Sequence, residues 1–146
     1  MNIGEWVSKR ALTHPDRPFL HEEENRKYSN REFNARVNRM AHGLLKLGVG
    51  RGERIAVLMG NRSEFLEIFF ACAKTGAIMV PVNFRLAVPE LAYIFQDCDP
   101  RVLVYSAEFA DKVAQVRASW PGQPRCFRHG GVAGAEPLLA EAVAAF

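Results

Sequence analysis

The sequence predicts an α/β fold, with a parallel sheet (mixed at its edge) carrying helices on both faces. Short, continuous apolar runs of strand length recur at Ile55–Met59, Ala77–Val82 and Arg101–Tyr105, as expected of strands buried on both sides. Between them lie segments with helical apolar spacing. From Arg26 onward the order reads β-α-β-α-β-α-β-α-β, the alternation that builds a helix-covered parallel sheet.

Each element has its own signal. Residues 3–13 read as a short helix with Ile3, Trp6, Val7 and Leu12 as apolar members, ended by His14-Pro15-Asp16. Pro18–His21 and Arg26–Tyr28 flank an acidic turn and suggest a β-hairpin. Ser29 and Glu32 have capping-box spacing. Phe33, Val37, Met40, Ala41, Leu44 and Leu45 then repeat at helical spacing up to the stop at Gly48.

Asn61 and Glu64 form a second candidate capping box. The helix it opens, Phe65–Thr75, is apolar nearly all round and so is expected to be buried on more than one side. Gly76 ends it. Pro89 suits the first turn of a helix over Pro89–Asp97. Ser106 can cap a helix over Ala107–Ser119, and Arg125–Phe127 is a further strand. His129–Gly134 reads as loop and Glu136–Phe146 as a weak Ala-rich helix. The expected organisation is a leading helix and hairpin (1–28), a βαβ core (29–128) and a weakly structured end (129–146).

Length and composition bound the function. A chain of 146 residues holds one domain with a real core. It is 49% apolar and 24% charged, the balance of a globular protein. No apolar run approaches the ~20 residues that span a bilayer, and the N-terminus has no apolar stretch of the secretory type. Three scattered cysteines, Cys72, Cys98 and Cys126, fit reduced thiols and a cytoplasmic location. The net charge of +3 is uneven: residues 1–54 hold 11 Lys/Arg against 7 Asp/Glu. The basic residues fall mainly on one helix, which reads as a solvated face and not as a nucleic-acid surface.

Three local patterns invite chemistry. Gly48-x-Gly50-x-Gly52 precedes a strand and so reads as a turn, not a dinucleotide loop. Gly60-Asn61-Arg62-Ser63 lies between strand and helix, where free N–H groups could hold an anion, but helix capping is the better reading. Cys126-x-x-His129 is half of a zinc site with no second pair. No complete catalytic set emerges. By the rule that ligands bind at strand C-termini, Gly60–Arg62, Asn83–Arg85 and Ser106 line the functional edge.

The stretch CAKTGAIMVPVNFRL (Cys72–Leu86) resembles the second core motif of the AMP-forming acyl-CoA synthetases and their adenylation-domain relatives. Ala73, Lys74, Gly76, Pro81 and Asn83 stand at its matching positions. Tyr28, Ser29 and Glu32 match the first core motif, with Phe33 in place of the usual Leu. VPELAYIFQDCDPRVLVYSAE is similar to the segment that follows in fatty-acid-type members. The similarity covers about residues 1–120, and Asn83 leans toward the acyl-CoA synthetases. VPVNFRL resembles fatty-acid or related carboxylic-acid ligases.

The resemblance implies the N-terminal part of the large domain of an adenylate-forming enzyme. Such an enzyme, a long- or medium-chain fatty-acid–CoA ligase, uses ATP and Mg2+ to make an acyl-adenylate, then transfers the acyl group to CoA. The family's phosphate loop, ribose-binding Asp and C-terminal Lys have no counterpart in these residues. The expectation is therefore an inactive N-terminal fragment of a roughly 500-residue enzyme, too long for one compact domain. It is expected to bind none of these cofactors tightly, to belong with the remainder of its polypeptide, and to self-associate.

The resemblance places Asn83, Phe84 and Arg85 near the CoA entrance, with Arg85 as a phosphate partner or, alternatively, paired with Glu90. The other function classes open at this point are a stand-alone α/β ligand-binding or interaction module and a fragment of an amino-acid adenylation domain.

Overall fold

Asn2 starts the first helix, α1 (Ile3–Thr13), by accepting the Gly4 N–H at 2.8 Å. Its amide also donates to the Ala73 carbonyl at 2.6 Å, so the cap ties α1 to a distant helix end. In the computed structural model, which describes residues 2–23, 26–122, 124–130 and 139, the hairpin follows as expected. Strands β1 (Pro18–His21) and β2 (Lys27–Ser29) pair antiparallel as a separate two-stranded sheet.

Helix α2 (Asn30–Lys46) opens with the full capping box. Ser29 Oγ accepts the Glu32 N–H at 3.2 Å, and the Glu32 carboxylate accepts the Ser29 N–H at 2.8 Å. Strand β3 (Arg54–Leu58), helix α3 (Ser63–Thr75), strand β4 (Ile78–Pro81), helix α4 (Val88–Cys98), strand β5 (Val102–Ser106), helix α5 (Ala110–Ser119) and strand β6 (Arg125–His129) complete the order.

The main sheet has four parallel strands in the order β4-β3-β5-β6. From β3 the chain crosses one way to β4; it then returns past β3 to β5 and continues to β6. A right-handed crossover puts its helix on opposite faces for opposite directions. Accordingly α3 lies with α1 and α2 on one face, whereas α4 and α5 lie on the other.

Side chains alternate between the two faces. Ile55, Val57, Val102, Val104 and Phe127 join one core with Phe33, Val37, Leu44 and Ile68. Ala56, Leu58, Leu103, Tyr105 and Cys126 join the other with Leu91, Phe95, Val116 and Trp120. Full burial of each large side chain contributes about 1.5–3 kcal/mol.

One close approach and one lysine junction fix the helix packing. A Cβ on Gly4 would meet the Lys74 backbone N at 2.7 Å, so only glycine lets α1 touch α3 there. Gly76 closes α3 with φ +78°, the left-handed cap its position predicts. Beside it, Lys74 Nζ donates to Ser8 Oγ at 2.7 Å, Asn34 Oδ1 at 2.7 Å and Asn38 Oδ1 at 2.6 Å. The motif lysine thus joins three helices.

The structure corrects three expectations and adds to a fourth. Asn61 is not the cap of α3: the N-cap is Arg62, which makes no side-chain capping bond. The α3 helix, expected to be apolar nearly all round, also buries two carboxylates, Glu64 and Glu67. Ser106 is not the cap of α5, and its side chain makes no capping bond to the turn it precedes. It ends β5, and a 3₁₀ turn (Ala107–Phe109) separates it from α5. His129 belongs to β6 and not to a loop, because its position pairs with Ser106 in the ladder. The expected Glu136–Phe146 helix lies outside the described residues apart from Leu139, which is helical and buried in the first core.

Candidate functional site at the strand C-termini

All four parallel strands end on one edge, and the chain reverses its crossover direction between β3 and β5. Crevices at such a switch point are where open α/β sheets take ligands. A cavity of about 700 Å3 opens there. Its floor is apolar (Leu20, Phe65, Leu66), and Glu22, Arg26, Arg62 and Glu108 supply charge. Gly60–Arg62 lie on it, as the sequence reading placed them. Ser106 ends β5 at the same edge, buried, and its Oγ has no hydrogen-bond partner among the described residues.

The α3 N-terminus does not offer a free anion site. The Glu22 carboxylate, from the end of the hairpin, accepts the Ser63 N–H at 3.0 Å and the Ser63 hydroxyl at 3.0 Å. It takes the place that the sequence reading left between an anion and an Asn61 cap.

Behind Glu22 lies an ion cluster. Arg36 Nε donates to Glu67 Oε1 at 2.6 Å, and its Nη2 stands 3.8 Å from Glu64. Arg26 approaches Glu64 at 4.0 Å and Glu22 at 3.9 Å, and His129 Nε2 lies 3.7 Å from Glu64. The Arg36 guanidinium also sits 4.8 Å over the Tyr28 ring. Burial pushes the Glu67 carboxyl above its ordinary range, and the bond and charge of Arg36 oppose that rise. The one hint in sequence was a Glu-x-x-Glu step in an otherwise apolar helix.

The half-zinc reading fails on strand geometry. Cys126 faces the α4/α5 core, and His129, three residues on, faces the other side with Glu64. Among the described residues, no three His, Cys, Asp or Glu side chains converge as a metal site. Burial lifts the Cys72 thiol to about 12.

Asn83, Phe84 and Arg85 form the loop between β4 and α4. Asn83 Oδ1 accepts the Arg85 N–H at 3.0 Å, and the Asn83 carbonyl accepts the Leu86 N–H at 3.2 Å. Phe84 stacks on Phe109 with centroids 5.3 Å apart, and Arg85 lies 6.0 Å over the Phe84 ring. Glu90 does not pair with Arg85; its carboxylate accepts the Ala87 N–H at 2.8 Å. Arg85 is exposed, and no ion pair is formed by it among the described residues. Lys112 of α5, which sequence reading did not single out, donates to the carbonyls of Phe84 at 2.9 Å and Leu86 at 3.0 Å.

The AMP-binding enzyme family matches residues 7–145. The chain belongs to this family. A long-chain-fatty-acid–CoA ligase of Mycobacterium tuberculosis is 36% identical over 118 residues, which is 80% of this chain and 24% of that protein. A feruloyl-CoA synthase of an Amycolatopsis species is 39% identical over 117 residues, 80% of this chain and 23% of that protein. Among solved structures, a fatty acyl CoA synthetase of Mycobacterium tuberculosis superposes with a TM-score of 0.85 at 34% identity, covering 98% of this chain and 28% of that one.

The chain spans about a quarter of the length of the curated relatives it matches. As an AMP-binding family member it carries both core motifs on structural elements. Ser29 and Glu32 cap α2, Lys74 joins helices, Gly76 closes α3 and Pro81 ends β4.

Proposed function

We propose that this chain is the N-terminal part of an ATP-dependent acid–CoA ligase. The enzyme activates a carboxylic acid, of fatty-acid or related type, as its acyl-adenylate with loss of pyrophosphate, and then passes the acyl group to the CoA thiol. The observation that carries this reading is the family match over residues 7–145, together with relatives at 36% and 39% identity that are named acid–CoA ligases.

The described residues differ in how well they suit the three cofactors. Phosphoryl chemistry depends on positioned charge around the phosphates. The α3 N-terminus is taken by Glu22, and among the described residues no carboxylate set converges for Mg2+, so these residues do not suit the phosphoryl step. CoA is different. Arg85 is an exposed guanidinium at the ligand edge with Glu90 engaged elsewhere, which suits a nucleotide phosphate. Phe84 and Asn83 shape the loop that presents it. CoA, when bound, supplies the thiol that accepts the acyl group.

The test is an assay of the full-length protein with a panel of carboxylates, ATP, Mg2+ and CoA. Acid-dependent AMP release with thioester formation is expected, and its absence across the panel overturns the reading. The 146-residue chain alone is expected to give no carboxylate-dependent pyrophosphate exchange. The chain alone is also proposed to self-associate through apolar surface such as Ile3, Trp6 and Phe69, which are partly exposed. A monomer in light scattering removes that proposal. No described helix is long and apolar enough to cross a membrane, and the reduced cysteines support a cytoplasmic location.

A further inference from the structure

The β4–α4 loop is held from outside by α5 and the turn before it. Among the described residues, its internal bonds are short-range: Asn83 to Arg85 and Leu86, and Glu90 to Ala87. Such bonds fix the local turn but not its attitude toward the rest of the edge. Two side chains supply that attitude. Phe109, at the end of the turn after β5, stacks on Phe84. Lys112, one helical turn later, places one ammonium on both the Phe84 and Leu86 carbonyls. These two carbonyls bracket Arg85. A half-buried ammonium aimed at two carbonyls, with no carboxylate on it in the described contacts, makes charge-assisted bonds stronger than ordinary ones.

We propose that Lys112 is a positioning residue for CoA: by clamping the carbonyls on either side of Arg85, it fixes the direction in which that guanidinium faces the nucleotide. The inference rests on the reading of Asn83–Arg85 as CoA contacts and extends it to a residue on a different helix. The clamp also couples the mouth of the β4–α4 loop to the end of β5, since α5 follows that strand through the Phe109 turn.

The test uses the full-length protein with Lys112→Met, Lys112→Arg and Arg85→Ala. In Lys112→Met, amide exchange at Arg85 and Leu86 is expected to quicken, and KM for CoA to rise about tenfold. The kcat at saturating CoA and the KM for ATP are expected to stay near wild type. Lys112→Arg, which can donate to both carbonyls, is expected to restore both exchange protection and KM.

Unchanged exchange in Lys112→Met overturns the clamp. Faster exchange with an unchanged KM for CoA, while Arg85→Ala raises that KM, overturns the positioning role and leaves the CoA reading standing. A raised KM in Lys112→Met with none in Arg85→Ala overturns the proposal, because the clamp is stated to act through Arg85. No change of KM in any variant removes both. If Lys112→Met unfolds, Lys112→Gln replaces it, and failure of Lys112→Arg to recover the KM of the Gln variant overturns the proposal.

Discussion

Glu22 caps α3 from 41 residues away, its two carboxylate oxygens taking the N–H and the hydroxyl of Ser63 at 3.0 Å each. The bond joins the small hairpin sheet to the main fold at the lip of the switch-point cavity. Glu22→Ala is expected to cost about 1–2 kcal/mol, the range of a lost helix cap. Urea denaturation of the two proteins at pH 7 measures it. Glu22→Gln keeps one acceptor and is expected to lose less.

Arg36 and Glu67 form the tightest ion pair of the cluster, and the Glu67 side chain is only 5% exposed. Arg36→Met leaves that carboxylate buried without its partner. The expected loss is about 2–4 kcal/mol at pH 8, set at the lower part of the buried-pair range because Arg36 is itself one-third exposed.

The same pair predicts a pH trend. Burial raises the folded pKa of Glu67 above its unfolded value. The folded state therefore holds this proton longer, and Glu67's contribution to stability falls as pH rises from the unfolded carboxyl range through the folded pKa. Removing Arg36 takes away the group that opposes the rise. The destabilisation by Arg36→Met is thus expected to be smaller at pH 5 than at pH 8, in urea titrations at the two values. Glu22, Glu64, Arg26, Tyr28 and His129 also face this cluster, so Glu67→Gln in the same background is the control. In it the pH difference is expected to shrink.

Gly4→Ala tests the approach of α1 to α3. A methyl there would lie 2.7 Å from the Lys74 backbone N and 2.9 Å from the Ala73 carbonyl carbon. Backbone cannot swing aside as a side chain can. An overpacking loss of about 1–3 kcal/mol is expected, read as a lower Tm. Lys74→Met removes three hydrogen bonds at the same junction and is expected to cost about 2 kcal/mol.

The Cys72 thiol, lifted to about 12 by burial, is expected to resist iodoacetamide at pH 8 in the folded protein. Cys98 is only half-buried, and burial raises it as well. It is expected to react before Cys72, with Cys72 modified only on unfolding. Peptide mapping after timed alkylation shows the order.

What could be read from sequence was what depends on near neighbours. Ser29 caps α2 because its partner is three residues away, and Gly76 ends α3 because only its own φ is at stake. The alternation of elements gave the parallel sheet and the edge that carries Asn83–Arg85. What could not be read depends on the third dimension. Asn61 looked like a cap, yet a carboxylate brought in by the hairpin reached the helix end first. Apolar spacing concealed that Glu64 and Glu67 would be buried, because their counter-charge, Arg36, comes from a different helix. Lys112 carried no signal at all, since its acceptors are backbone carbonyls, which every residue possesses.

Pro81 closes β4, which among the described residues is the outermost strand on its side of the sheet. The N–H groups of Ile78 and Val82 turn inward to Glu53 and Val57 on the β3 side, so those of Met79 and residue 81 turn outward. Proline has no N–H to offer. This rim therefore presents Met79 as its single donor over four residues, too few to template a fifth strand. The residue that marks the family motif in the sequence also makes this border a poor seed for fibrous growth.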